Sequence, residues 1–116
     1  MTLEQLYQQA GGSCAETLRR IPSEAMLRRF ILKFQDDPAY ELLCDSVQAQ
    51  DWATAFRAAH TMKGVAQNLG FDGLYRSSAE LTEHLRGEKP LTEPALLDAV
   101  TADYQALLAA ISQLEQ

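Results

Sequence analysis

The sequence predicts an all-α protein: an antiparallel up-down four-helix bundle with short extra N-terminal helices. Three observations predict it. Apolar residues recur at three-four spacing along most of the 116 residues. The six glycines and four prolines fall mostly between those stretches. No run of alternating polar and apolar residues is long enough for a strand. The connections are short, which makes consecutive helices antiparallel.

Each element has its own signals. Thr2 and Gln5 have capping-box spacing ahead of a short helix, which Gly11-Gly12 ends. Ser13 and Glu16 repeat the box and predict a second short helix over residues 14–20. Pro22 suits the first turn of a helix running to about Gln35. Met26, Leu27, Phe30, Ile31 and Phe34 form its apolar stripe. Asp37-Pro38 reads as an N-cap followed by a first-position proline. The helix it opens turns Tyr40, Leu43 and Val47 inward and ends near Ala49.

Asp51 caps the next helix, from Trp52 to about Leu69. Gly70 can then adopt the left-handed stop, with Phe71 folding back. Asp72 is expected to cap a helix carrying Leu74, Ser78, Leu81 and Leu85 on one side, with Gly87 at its end. Beyond the loop at 88–91, Thr92 is expected to cap the last helix, with Pro94 in its first turn. Its Leu97, Val100, Tyr104, Leu107, Ile111 and Leu114 follow the seam spacing of a lengthwise-packed helix. The reading is one domain over 1–116, with short helices in 1–21 and the bundle in 22–116. Two sets of four core helices remain open, one beginning at Pro22 and one after residue 36.

Composition narrows the functions. The chain is 47% hydrophobic and 22% charged, a globular balance long enough for one unaided core. A formal charge of -6 argues against general nucleic-acid binding, which needs a basic face. No run of eighteen apolar residues suggests a membrane span. Met1-Thr2-Leu3-Glu4-Gln5 lacks signal-peptide character, and Cys14 and Cys44 read as reduced core thiols. The expectation is a free-standing cytoplasmic monomer.

The informative segment is 59–70, Ala-His-Thr-Met-Lys-Gly-Val-Ala-Gln-Asn-Leu-Gly. At about 100° per residue, Ala55, Ala58, Met62, Val65, Ala66 and Leu69 fall opposite His60 and face the core. Gly64 and Gln67 follow on the His60 side, Ala53 precedes on the same line, and Arg57 and Lys63 flank it. His60 is therefore expected to stand exposed. Imidazole generally titrates near 6.5, so its neutral, nucleophilic form is available near neutral pH. Lys63 at i+3 can offset phosphoryl charge, and Gln67 can hydrogen-bond the ring or the group. Gly64 at i+4 leaves the ring unshielded, although mid-helix glycine costs about 1 kcal/mol. Phe56, one turn before, has two open readings: a groove filler, or part of an apolar docking surface with Ala53 and Arg57.

These residues resemble the histidine-containing phosphotransfer (HPt) domain of two-component phosphorelays. The family pattern is alanine-histidine-threonine-leucine-lysine-glycine, any residue, alanine, any residue, asparagine, a large aliphatic and glycine. Residues 59–70 match it, with Met62 for leucine and Val65 where serine is frequent. The likeness extends over about 22–87; Thr82 stands where the family often has glutamate. The resemblance implies that His60 accepts a phosphoryl group from a receiver-domain phospho-aspartate, or from a sensor histidine kinase, and passes it to a receiver aspartate. It implies no cofactor on this chain, with magnesium on the partner receiver.

A helical adaptor that binds receiver or kinase domains without phosphorylation needs only the Phe56 patch and the Gly64 notch. Di-metal bundles use Glu-x-x-His pairs, but Arg57 and Leu81 precede the two histidines at that spacing, so no metal site is expected. No Gly-rich phosphate loop is present, which points to a carrier and not an autonomous kinase. His84 lacks the lysine and glycine neighbours and reads as structural or solvated. Glu80, Glu83 and Glu88 read as a solvated acidic region, and Tyr75 and Tyr104 as packing aromatics.

Overall fold

A computed structural model describes residues 1–114. Seven helices make up the regular structure of those residues, with no strand among them. They are α1 (Leu3–Ala10), α2 (Cys14–Arg20), α3 (Glu24–Phe34), α4 (Ala39–Gln48), α5 (Trp52–Leu69), α6 (Asp72–Leu85) and α7 (Pro94–Ser112).

Of the two sets open from the sequence, the later one forms the bundle. Helices α4 to α7 pack as successive neighbours, and α7 closes back on α4. That closure is made by Tyr40 and Tyr104, whose rings stack at 4.1 Å and 10°, while Tyr40 Oη bonds Thr101 Oγ1 at 2.9 Å. The bundle core is mostly aliphatic: Leu43, Ala55, Ala66, Leu81, Leu85, Val100 and Ile111 are all buried, with the hydroxyls of Ser78 and Thr82 buried among them and bonded to α6 carbonyls. Burying one such leucine or isoleucine contributes roughly 1.5–3 kcal/mol.

The N-terminal helices close one end. Phe34 of α3 meets Phe71 edge-on at 5.5 Å and Tyr104 at 5.9 Å. Tyr7 of α1 packs on Phe71 at 5.8 Å. The expected Thr2–Gln5 capping box is complete, and Gly11 ends α1 at φ 82°. Ser13 accepts from the Glu16 N–H to open α2.

Several details differ from the sequence reading. α3 opens on Ser23, whose hydroxyl accepts from the Met26 N–H, and not on Pro22. Met26 and Phe30 are 42% and 37% exposed, so only Leu27, Ile31 and Phe34 of the expected stripe are buried. α3 meets the bundle along one line only, too narrow for all five residues. Pro38, not Asp37, is the cap residue of α4, which begins at Ala39; Asp37 stands one residue earlier and accepts from the Ala39 N–H at 2.8 Å. Asp72 is the first residue of α6 and gives it no side-chain cap. Thr92 does not cap α7 either; its N–H donates to His84 Nε2 at 3.1 Å. His84 is therefore structural, tying the end of α6 to the loop before α7.

Charge is unevenly divided. Residues 1–35 hold five Lys/Arg and three Asp/Glu, whereas residues 36–116 hold five and thirteen.

Candidate functional site

The site is built on α5, which is fixed at both ends. Asp51 caps its start: one carboxylate oxygen accepts from the Thr54 N–H at 3.2 Å and the other from the Thr54 hydroxyl at 2.7 Å. These bonds hold the Asp51 carboxyl below its usual range. At the far end Gly70 takes φ 75°, and the Phe71 N–H donates to the Ala66 carbonyl at 2.9 Å. A side chain at Gly70 would be strained and would also run into Thr17 Oγ1. Tyr7 Oη donates to the Leu69 carbonyl at 2.6 Å, and Arg20 reaches the Gln67 carbonyl at 3.2 Å. The N-terminal layer thus takes up carbonyls that the helix end leaves unpaired.

Between these anchors the helix presents two different sides. Ala55, Ala58, Ala59, Met62, Ala66 and Leu69 are buried, as the spacing required. Val65 is only half-buried, because it borders a groove with Phe30 and Asn68 instead of the bundle axis. His60 is exposed. Its ring lies parallel to Phe56, with centroids 6.0 Å apart and 13° between planes. Gly64, one turn on, faces open space: a Cβ there would meet no atom within 4 Å. Lys63 is half-buried beside it.

Glu83 of α6 and Arg86, the residue that follows the helix, complete the surroundings. Arg86 places its guanidinium 5.3 Å from the Phe56 ring centroid. It also grips Glu83 with both arms, Nη2 to Oε1 at 2.8 Å and Nε to Oε2 at 3.0 Å. Those bonds hold the Glu83 carboxyl below its usual range, and Lys63 and His60 pull it in the same direction. The same pairing raises Arg86. Glu83 is thus a site neighbour, not simply solvated acid. Counting equal distances from the Gly70–Phe71 turn pairs His60 with position 81 and Phe56 with position 85, at the C-terminal end of α6; that is the signal that places Glu83 and Arg86 here.

The other expected site residues are spread along α5. Ala53 and Phe56 are half-buried, and Phe56 packs on the core as well as on His60. Arg57 is exposed; it donates to Thr54 Oγ1 at 3.2 Å and borders a groove with Leu42 of α4. Gln67 is two turns past His60, about 10 Å along the axis. It lines a recess with Arg20, Asp72 and Tyr75, so the structure does not bring it to the ring. Among the described residues no group of three or more His, Cys, Asp or Glu is arranged to hold a metal. Nor is any helix long and apolar enough to cross a membrane.

His60 thus stands exposed on a helix clamped at both ends, beside Lys63 and the side-chain-free Gly64. A family model described as Hpt domain matches residues 1–116, the whole chain. The chain belongs to the Hpt domain family, whose members take part in histidine phosphotransfer in phosphorelays and engage receiver domains and kinases. No curated protein and no solved structure matches it.

Proposed function

We propose that His60 carries the phosphoryl group, accepting it from a receiver phospho-aspartate or a sensor histidine kinase and donating it to a receiver aspartate. The observation that carries this reading is the exposed His60 ring one turn from the open space at Gly64. The transfer is an in-line displacement. A neutral imidazole nitrogen uses its lone pair to form the N–P bond. The P–O bond to the aspartate breaks, and its electron pair leaves with the carboxylate. Donation to a second receiver is the reverse exchange.

The chain contributes position and charge. α5 is held at Asp51 and Gly70, so the ring is presented on a rigid element and little ordering is needed at encounter. Lys63 faces the charge on the phosphoryl oxygens. Magnesium belongs on the receiver, where carboxylates would hold it and it would neutralise the same oxygens. Ala53, Phe56 and Arg57 form the adjoining contact surface on α5.

Incubation with a phosphorylated receiver tests this reading. Wild type should take up label, and His60→Gln should take up none. Equal labelling of both would overturn the assignment. Undiminished receiver binding with no label on either would leave the adaptor reading in its place.

A further inference from the structure

We propose that Glu83 and Arg86 set how strongly His60 holds its phosphoryl group: Arg86 rests on Glu83 and Phe56 while the imidazole is free, and turns to the phosphoryl oxygens once it is modified. The inference rests on the assignment of His60 as carrier.

The geometry supplies a switchable cation. The Arg86 guanidinium stacks at 5.3 Å on the same phenyl ring that lies 6.0 Å from the imidazole, so it is no more than about 11 Å from His60. Its side chain and that of Glu83 are 54% and 62% exposed, so neither is locked by packing. An exposed pair of this kind adds little to stability, and exchanging its partner costs correspondingly little. The bidentate fork that fits two carboxylate oxygens fits two phosphoryl oxygens equally well.

The charges then compete. A phosphoryl group on His60 brings about two negative charges to a place whose field Glu83 already shares with Lys63 and His60. Glu83 opposes that charge, and Arg86 is drawn from the single carboxylate to the doubly charged group. Arg57 of α5 is engaged at Thr54 on the other flank and does not replace it. Glu83 thus acts as a tuning residue that keeps the modified form from becoming too stable, and Arg86 as a phosphoryl ligand. On hydrolysis, water bonds to phosphorus, the N–P electron pair returns to the ring and inorganic phosphate leaves. Arg86 then returns to Glu83.

The test uses phosphoramidate as donor and compares wild type with Glu83→Gln, Arg86→Gln, the double variant and His60→Gln. The phosphorylated fraction at fixed donor and the half-life after donor removal are read at low salt and at 0.5 M salt. Glu83→Gln should raise the ratio of phosphorylated to free protein about threefold, and Arg86→Gln should lower it by a similar factor. In the double variant the loss should be smaller, because the opposing carboxylate is gone too. All of these differences should shrink in high salt. A structural role at the end of α6 would instead move the melting temperature and leave the ratio alone. Ratios within 1.5-fold of wild type in both folded single variants would overturn the proposal. Label persisting on His60→Gln, or absent from wild type, would overturn the carrier assignment instead.

Discussion

Residue 64 is chosen against the interest of its own helix. A glycine inside α5 costs about 1 kcal/mol relative to alanine, and nothing in the protein requires one, since a Cβ would enter open space. Gly64→Ala should therefore raise the unfolding free energy by about 0.5–1 kcal/mol, as read from urea melts. Gly64→Gln should fold equally well yet slow phosphoryl uptake from a receiver at least tenfold. Equal transfer rates for glutamine and glycine would show that the open turn is not used for access. His60, Lys63 and Gly64 were legible because one helix carries all three and its period fixes their directions. Glu83 and Arg86 were not, because they sit at and just past the end of α6 and approach His60 only through the pairing of two helices. Gln67 illustrates the converse error: it shares a line with His60 in projection, but projection discards the axial distance.

Helix ends sort the legible from the illegible in the same way. Thr2, Ser13 and Asp51 were readable because a cap bonds a backbone N–H three residues on. Thr92 was not, because its N–H is taken by His84, eight residues earlier in the chain. Asp72 begins a helix whose entry is set by the burial of Phe71, not by a side-chain bond. Met26 and Phe30 have the right period, but a helix that touches its neighbours along one line buries only part of its apolar arc. The stop at Gly70 couples two elements. Its left-handed backbone ends α5, and its missing side chain admits Thr17. Gly70→Ala should lower stability by about 1–3 kcal/mol from the backbone alone, and by more from the clash with Thr17. Melting that matched wild type would mean the N-terminal layer is not seated on that turn.

At the scale of the molecule, that seat predicts a response to alkali. Burial pushes the Tyr7 hydroxyl, bonded to the Leu69 carbonyl, up to about 12. In the unfolded chain a phenol ionises near 10. Below pH 10 both states keep the proton and the contribution of Tyr7 to stability is complete. Between pH 10 and 12 only the unfolded chain gives it up, so stability falls as pH rises. Tyr7→Phe should flatten that fall in denaturation series from pH 9 to 12, leaving the smaller part due to Tyr40 and Tyr104, which burial also raises. An unchanged slope would place the alkaline loss elsewhere. The bundle class itself was open to inspection, since apolar period and short connections determine it. The choice of four helices was not, because it turns on long-range contacts such as Tyr40 with Tyr104.

The lopsided distribution of ionic groups has a further consequence. With a net positive charge on the first 35 residues and a net negative charge on the remainder, the molecule is an electric dipole. Within about 8 Å at physiological salt, an oncoming partner exerts torque as well as pull. On the acidic portion, Lys63 and Arg86 are cations near the imidazole, and Arg57 lies one turn before it on α5. A negatively charged visitor is thereby rotated towards either the basic end or this small cationic island before any surfaces touch.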